Sequence, residues 1–111
     1  RLAVGIAAMG TFEIDLLTDA VVVNDEGRAI YGWDAAEPLT FEKVQGHFHP
    51  EDKEEVLRRV AAAIDPRGAG EFEVEQRIFR TDGELRWIRV RGRATVAGDG
   101  QRLQQLITLL I

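Results

Sequence analysis

The sequence predicts one α+β domain, built on antiparallel strands and spanning residues 1–111. Three observations support this fold class: a pair of long alternating segments around an Asp-Gly turn, two shorter alternating segments near the start of the chain, and one amphipathic helix between them. With 111 residues, the chain is long enough for one hydrophobic core and too short for two. The predicted order is two strands, a helical insert and three strands.

The first nine residues, 1–9, are mostly apolar and are followed by a glycine. Gly10 is suited to a helix C-terminal cap, so residues 1–9 are predicted to be the last turns of an N-terminal flanking helix. So short a helix is unstable in isolation because nucleation is costly. This segment is therefore expected to dock on the sheet or on a partner subunit.

Two short strands are predicted next. Residues 11–17 alternate between apolar and acidic side chains, and residues 20–24 form a β-branched run. A turn at residues 18–19 joins the two strands, and residues 25–27 close the second one. The side chains of the first strand that are expected to face inward are Phe12, Ile14 and Leu16.

The segment 28–46 shows no dominant period and is interpreted as a run of short helices, interrupted at Pro38. Tyr31 and Trp33 lie in the first of these helices, and Thr40 is expected to begin the last one.

Residues 49–65 predict the longest helix. Pro50 fits its first turn, acidic side chains follow near its positive end, and Pro66 stops it. Apolar side chains at helical spacing form one buried stripe. The members of this stripe are Val56, Val60, Ala63 and Ile64.

Residues 70–96 form the predicted β-hairpin. With Gly83 at the centre of the turn, apolar side chains share one face, while charged side chains and an aromatic pair share the other. A slip by one residue would mix charged and apolar side chains on both faces, so this register is preferred. The predicted cross-strand pairs are Ile88–Ile78, Val90–Gln76 and Ala94–Phe72 on one face, and Trp87–Phe79, Arg91–Glu75 and Arg93–Glu73 on the other.

The last predicted strand is 101–111, after a turn at residues 97–100. Its end is apolar on both faces, which is typical of a strand in the middle of a sheet.

Composition excludes several classes of function. The net charge of -5 argues against nucleic acid as a partner, and no apolar run approaches the roughly 18 residues of a membrane span, so a cytoplasmic protein without membrane insertion is expected. Cysteine is absent, which excludes disulfides, thiolate catalysis and flavin photochemistry through a cysteine adduct. No Ser-His-Asp order, phosphate-binding glycine loop or metal-spaced cluster is present, so a catalytic function is not predicted.

Three local motifs, at these positions and in this order, resemble the PAS domain, in particular the bacterial form with the PAC motif. The motifs are Gly10-Thr11-Phe12 with Asp15, Phe48-His49-Pro50-Glu51-Asp52, and Arg77 with Asp82-Gly83 and Arg86-Trp87-Ile88.

The resemblance implies a five-stranded antiparallel sheet in the order 2-1-5-4-3, with the short helices and the longer helix on one face around a small cavity. It also implies a role in signal transduction, most often in two-component sensor histidine kinases or cyclic-dinucleotide enzymes. The outer face of the sheet would carry the N-terminal helix and the dimer contact, here through Phe79 and Trp87. One departure stands at the end of the chain, where Leu109, Leu110 and Ile111 replace the Asp-Ile-Thr that usually leads to the output helix.

The implied cavity would be an apolar ligand pocket. Gln76 is the polar side chain on the inward face of the hairpin, so it either finds a backbone or water partner or points at a ligand. Tyr31 and Trp33 would cover the cavity, as plain core residues or as stacking partners of an aromatic ligand. The expected lining residues are Ile14, Val23, Ile30, Phe41, Val44, Val56, Val60, Phe72, Val74, Gln76 and Val90.

His47 and His49 are the two histidines of the chain. A haem or metal site would need a further ligand, and no cysteine or carboxylate cluster supplies one, so no metal site is predicted and no cofactor is identified. His49 is interpreted as a residue that hydrogen-bonds the backbone at the start of the long helix.

The leading hypothesis is a non-catalytic sensory and dimerisation module that relays the state of a small ligand or a redox group to an effector domain of the parent chain. Two alternatives remain open. One is a PAS-like homodimerisation scaffold without a ligand. The other is a small cone-shaped α+β isomerase or hydrolase, which would require an inward acid or base with a shifted pKa.

Overall fold

A computed structural model describes residues 9–97 and 100–110 of the chain. The α+β class is confirmed, because six strands form one sheet and three helices lie, in sequence, between the second and fourth strands of the chain. The elements are β1 Met9–Asp15, β2 Ala20–Val23, α1 Asp25–Tyr31, β3 Leu39–Thr40, α2 Phe41–Gln45, α3 Pro50–Ile64, β4 Glu71–Phe79, β5 Leu85–Ala97 and β6 Gly100–Leu110.

The sheet is antiparallel throughout, in the order β3-β2-β1-β6-β5-β4. The predicted count of five strands was wrong by one, because the two-residue strand β3 pairs with β2 at the edge of the sheet. So short a strand leaves no alternation to read in the sequence. The last strand, β6, lies in the middle of the sheet between β1 and β5, as its apolar character indicated.

The start of the chain differs from the prediction. Met9 and Gly10 belong to β1, so the helix expected over residues 1–9 does not include Met9, and Gly10 is not a helix cap. Residues 1–8 lie outside the described part of the chain. The expected first strand was also drawn too long, since the Asp15 carboxylate accepts a hydrogen bond from Leu17 N (2.9 Å) and starts the turn there.

Gly10 is required by a close approach of two backbones. A methyl group added at Gly10 would lie 2.5 Å from Gly27 Cα and 2.8 Å from Gly27 N. Gly27 is itself buried in the first turns of α1, and a methyl group there would lie 2.6 Å from Val23 Cγ1. α1 therefore crosses β1 at a point where neither backbone has room for a side chain.

Residues 25–27 are the first turn of α1 and not the closing turn of a strand, because Asn24 caps the helix. The Asn24 side-chain oxygen accepts hydrogen bonds from Gly27 N (2.8 Å) and from Thr11 N (2.9 Å). It thereby satisfies one free donor of the helix and also joins the helix start to β1.

The other two helices begin where the sequence indicates. Thr40 caps α2 by accepting a hydrogen bond from Lys43 N (3.2 Å), and His49 Nδ1 caps α3 by accepting one from Glu51 N (3.1 Å). Of the predicted stripe on α3, Val56, Val60 and Ala63 are buried and Ile64 is partly buried against the core.

The β4–β5 hairpin has the predicted faces but a register shifted by two residues. Its loop has three residues and is centred on Asp82, because Arg80 N donates to Glu84 O (2.9 Å) and Gly83, with φ of 88°, is the last loop residue. This is the usual three-residue hairpin loop with glycine in the left-handed position. The observed pairs include Gln76–Ile88, Val74–Val90, Phe72–Gly92, Arg77–Trp87, Phe79–Leu85, Glu75–Arg89, Glu73–Arg91 and Glu71–Arg93.

The free edge of β4 is partly covered by residues 47–52, which lead into the first turn of α3. Phe79 N donates to His47 O (2.8 Å), His49 N donates to Arg77 O (3.0 Å), and Arg77 N donates to Asp52 Oδ2 (2.8 Å). The other half, toward Glu71, borders an open groove of about 630 Å³. Arg59 lines this groove, and its Nη1 donates a hydrogen bond to Glu73 O (2.8 Å).

Within the described part of the chain, no helix is long and apolar enough to cross a membrane.

Candidate functional site

The residues predicted to line a pocket come together between the helices and the inner face of the sheet. Gln76 and nine apolar members of this set are buried, and Phe41 packs half-buried against the same core. The nine buried apolar members are Ile14, Val23, Ile30, Val44, Val56, Val60, Phe72, Val74 and Val90.

Gln76 is the buried polar residue of this interior, with 1% of its surface exposed. It lies on the inner face of β4 opposite Ile88, flanked along the strand by Val74 and Ile78. Its Nε2 atom has no hydrogen-bond partner in the described part of the chain. A buried donor without a partner costs about 1 to 3 kcal/mol of stability. An acceptor that came within hydrogen-bond distance of Nε2 would remove this cost.

An aromatic cluster of Phe12, Tyr31, Trp33 and His47 lies at one end of the core. The rings of Tyr31 and Trp33 are stacked with centroids 4.3 Å apart, and His47 meets both rings edge-on at 5.3 Å. Phe12 packs against the same two rings from β1. Tyr31 and Trp33 are thus core residues that stack on each other.

Burial in this interior disfavours charged groups. Tyr31 is 1% exposed, and its burial raises the pKa of the phenol well above its usual range. The hydroxyl therefore stays protonated under ordinary conditions, and an anion placed beside it would be disfavoured for the same reason.

His47 joins the aromatic cluster to the sheet edge with both ring nitrogens. Its Nε2 accepts a hydrogen bond from Trp33 Nε1 (3.0 Å), and its Nδ1 lies 2.7 Å from Phe79 O. An indole N–H can only donate and a carbonyl oxygen can only accept, so the His47 proton must be on Nδ1. His49 is in the opposite state, because its Nδ1 accepts from Glu51 N and its proton must be on Nε2.

We therefore expect the two neutral histidines to be opposite tautomers, His47 with its proton on Nδ1 and His49 with its proton on Nε2. Long-range proton–nitrogen correlation spectra distinguish the two forms, and each ring serves as the control for the other. Trp33→Phe should leave the His47 proton on Nδ1, which still faces Phe79 O, and cost about 1 kcal/mol of stability for the lost hydrogen bond. One tautomer shared by both rings would contradict this arrangement.

No group of three or more His, Asp or Glu side chains suited to a metal ion occurs among the described residues.

Asp52 and Arg77 form an ion pair that fastens α3 to β4. Arg77 donates to the Asp52 carboxylate from its backbone N (2.8 Å), its Nε (3.0 Å) and its Nη2 (2.6 Å). The guanidinium also lies over the ring of Trp87, with 5.3 Å from Cζ to the centroid. The hydrogen bonds from Arg77 hold the pKa of Asp52 below its usual range.

Asp52→Asn is expected to lower the free energy of unfolding by about 2 kcal/mol near neutral pH, because the charge-assisted bonds are lost. The pKa of Asp52 is lower in the folded than in the unfolded chain. Its contribution is therefore complete above the unfolded pKa, near 4, and disappears as the pH falls through the folded value. Urea unfolding across this range should show the two curves converging in acid. Glu54→Gln, at an exposed position on the same helix, is the matched control, and a constant gap between the wild type and Asp52→Asn would contradict the assignment.

The outer face of the sheet exposes apolar side chains at the loop end of the β4–β5 hairpin. Phe79 is 38% exposed, Leu85 42% and Trp87 46%. Phe79 and Trp87 are both on this face as predicted, but they are not cross-strand partners, since Phe79 lies opposite Leu85 and stacks on His49 with centroids 5.5 Å apart.

Sequence reasoning did not find three contributors to this arrangement. Leu85 was not identified as part of the exposed apolar surface, and the Asp52–Arg77 pair was not anticipated, although Asp52 and Arg77 both lie in the motifs quoted above. Arg80 was also missed; its Nη1 donates to Ile30 O (2.9 Å) at the end of α1. Thr81 N and Oγ1 bind Tyr31 O (3.0 Å) and Gly32 O (2.8 Å), so the hairpin loop is tied to α1. No local pattern signals contacts between residues so distant in sequence.

The sequence matches the family described as PAS fold over residues 20–108. The sensor protein FixL of Bradyrhizobium diazoefficiens is 30% identical over 83 residues, which are 75% of this chain and 16% of FixL. The chain thus spans only a small part of that relative's length.

Solved structures agree with the fold. A sensory box histidine kinase/response regulator from Burkholderia thailandensis has a TM-score of 0.78 at 25% identity, covering 97% of this chain and 81% of that one. The N-terminal domain of a diguanylate cyclase with PAS/PAC sensor from Marinobacter aquaeolei has a TM-score of 0.78 at 21% identity, covering 91% of this chain and 94% of that one. The PAS-like fold is therefore confirmed, and with the match extending over most of its length, this chain belongs to the PAS family.

Proposed function

We propose that the chain is a non-catalytic sensory domain of a signalling protein, whose interior binds an uncharged small molecule through Gln76. The observation that carries the proposal is the buried Gln76 Nε2 without an acceptor. A ligand with a carbonyl, ether or ring-nitrogen acceptor would satisfy this donor, while the surrounding apolar side chains would contact the rest of the molecule. The burial of Tyr31, which disfavours a nearby anion, supports an uncharged ligand.

The effector is proposed from the relatives. FixL is named a sensor protein, and the structural relatives include a histidine kinase and a diguanylate cyclase. We therefore propose an effector domain of one of these two classes elsewhere in the parent chain.

The mechanism would be a shift of population between two states of the sheet. Gln76 lies on β4, opposite Ile88 of β5, and β5 pairs with the central strand β6. A ligand that binds Gln76 in only one arrangement of this hairpin would favour that arrangement. The hairpin loop would carry the change to α1 through the contacts of Arg80 and Thr81.

Native mass spectrometry of freshly purified protein tests the proposal, together with a visible absorption spectrum of the same sample. We expect additional mass that is released on denaturation, retained by the matched control Gln45→Leu and lost by Gln76→Leu. Gln45 is the same residue type, in contact with solvent on α2. A bare polypeptide mass for the wild type, unchanged after incubation with cell extract, would contradict ligand binding.

A second candidate is a homodimerisation scaffold without a ligand, and the exposed Phe79, Leu85 and Trp87 favour it. A dimer at the bare polypeptide mass would support this candidate. The isomerase or hydrolase alternative gains no support from the interior, where the buried polar residue of the described chain is Gln76, whose amide does not ionise and cannot serve as a general acid or base.

A further inference from the structure

Alternate residues of β4 direct their backbone N–H and C=O groups away from β5, toward the free edge of the sheet. In an antiparallel sheet, both groups of one residue point to the same side of the strand, and every second residue repeats that direction. Arg77 shows which residues these are, because its N donates to Asp52 and its O accepts from His49 N, both outside the β4–β5 pair. The backbone groups of Glu73 and Glu75 therefore point to the same edge.

The Glu71 half of this edge has few hydrogen-bond partners. Arg59 Nη1 donates to Glu73 O (2.8 Å), but Glu73 N, Glu75 N and Glu75 O make no hydrogen bond at this edge within residues 9–97 and 100–110. Both glutamates line the open groove of about 630 Å³, whose opposite wall on α3 includes Glu55 and Arg59. An unpaired strand edge beside an open groove can accept a further strand.

The other half of the edge shows how such a strand would lie. Phe48 forms an isolated antiparallel bridge with Ile78, so residues 47–49 already run beside β4 as a very short strand. At Pro50 the chain enters α3 and leaves the edge. An added antiparallel segment would continue the line of residues 47–49 along residues 71–75.

The side chains at this edge indicate which segment would bind. Glu71, Glu73 and Glu75 alternate on the outer face, and their side chains are 50% to 63% exposed. The carboxylates of Glu73 and Glu75 lie 3.7 to 3.9 Å from guanidinium groups of β5 and accept no hydrogen bond within the described part of the chain. Every second side chain of an added strand would stand beside these carboxylates, where a positive charge is favourable.

A second copy of this chain does not fit the same edge. Its β4 would bring the same row of glutamates, and like charges directly opposite each other destabilise a strand pair. The net charge of -5 on each chain adds to this repulsion. The edge therefore favours a partner of opposite charge.

We propose that the Glu71 half of the β4 edge binds an extended segment of a partner protein with lysine or arginine at alternate positions. The segment adds one strand to the sheet, with main-chain hydrogen bonds providing affinity and its basic side chains providing specificity. Glu75 N and O bond one residue of the segment, and Glu73 N donates to the residue two positions away. This site lies outside the interior and is independent of the ligand proposed for Gln76.

Peptide titration at low ionic strength tests the proposal. The probe is acetyl-Thr-Lys-Val-Lys-Val-Lys-Thr-amide, and a peptide with glutamate in place of lysine is the charge control. A third peptide, methylated at the backbone nitrogens of its lysines, keeps every charge but loses the donors that face β4.

The lysine peptide should slow hydrogen exchange of the Glu73 and Glu75 amides, measured by nuclear magnetic resonance. The methylated peptide should bind on the order of 10-fold more weakly, and the glutamate peptide should not bind. Equal affinity of the methylated and unmethylated peptides would overturn strand addition, and so would unchanged exchange of the two amides.

Charge reversal on the protein tests the specificity of the same site. The double variant Glu73→Lys/Glu75→Lys should bind the lysine peptide on the order of 10-fold more weakly than the wild type and should bind the glutamate peptide instead. The matched control is Glu13→Lys/Glu42→Lys, which makes the same change in net charge at exposed positions on β1 and α2. An equal loss of binding in these two folded variants would overturn the site, because net charge alone would then explain the affinity.

Discussion

Gly10→Ala is expected to lower the free energy of unfolding by about 3 kcal/mol, the upper part of the range for overpacking a folded interior. The added methyl group would lie 2.5 Å from Gly27 Cα, and backbone atoms cannot turn aside as a side chain can. α1 would have to move away from β1, which would also strain the hydrogen bonds that Asn24 makes to both elements. For a chain of this size the melting temperature should fall by roughly 15 °C.

Gly83→Ala provides the matched control, since it adds the same methyl group where no heavy atom lies within 4 Å. Its cost should be only about 1 kcal/mol, from the left-handed backbone conformation. Equal losses for the two variants, measured by thermal and urea unfolding, would show that steric contact between β1 and α1 is not the cause.

Gln76→Leu is expected to raise the free energy of unfolding of the ligand-free chain by about 1 to 2 kcal/mol, because it removes a buried donor without a partner and keeps a similar volume. The gain should disappear when the wild type is saturated with its ligand, since a ligand stabilises only the form that binds it. Urea unfolding before and after removal of the bound molecule measures both effects. Gln76→Leu would therefore be more stable than the ligand-free wild type and unable to respond to the ligand.

The control is Gln45→Leu, which makes the same chemical change at a position in contact with solvent and should shift stability by no more than about 0.5 kcal/mol. A loss of stability in Gln76→Leu would contradict the prediction. It would mean that in solution the Gln76 amide donates a hydrogen bond to an acceptor such as a buried water.

The β-hairpin shows which parts of this fold a sequence predicts. Alternation placed Gln76 and Ile88 on the inner face and Trp87 and Arg91 on the outer one, and the structure agrees. The register was wrong by two residues because the centre of the loop is Asp82 and not Gly83. A shift of two residues leaves every side chain on its face, so the alternating pattern could not detect the error.

Contacts between segments that are distant in the chain could not be predicted from the sequence. Gly10 resembles a helix cap when only its neighbours are considered, and its real reason is Gly27, seventeen positions later. The members of the candidate site were predicted from inward-facing positions, which periodicity supplies. The missing partner of Gln76 could not be predicted, because it depends on which polar groups the fold brings within reach.

The incomplete cover of β4 has a consequence for solubility. Residues 47–52 supply hydrogen-bond partners to the Phe79 end of the strand, while the Glu71 end has acidic side chains beside an open groove. At neutral pH those carboxylates repel the acidic β4 strand of another copy of the chain. As the pH falls through the lowered pKa of Asp52, the Asp52–Arg77 pair weakens and releases the covered half. Acid treatment should therefore end in insoluble, strand-paired assemblies of many chains, and not in dispersed unfolded ones.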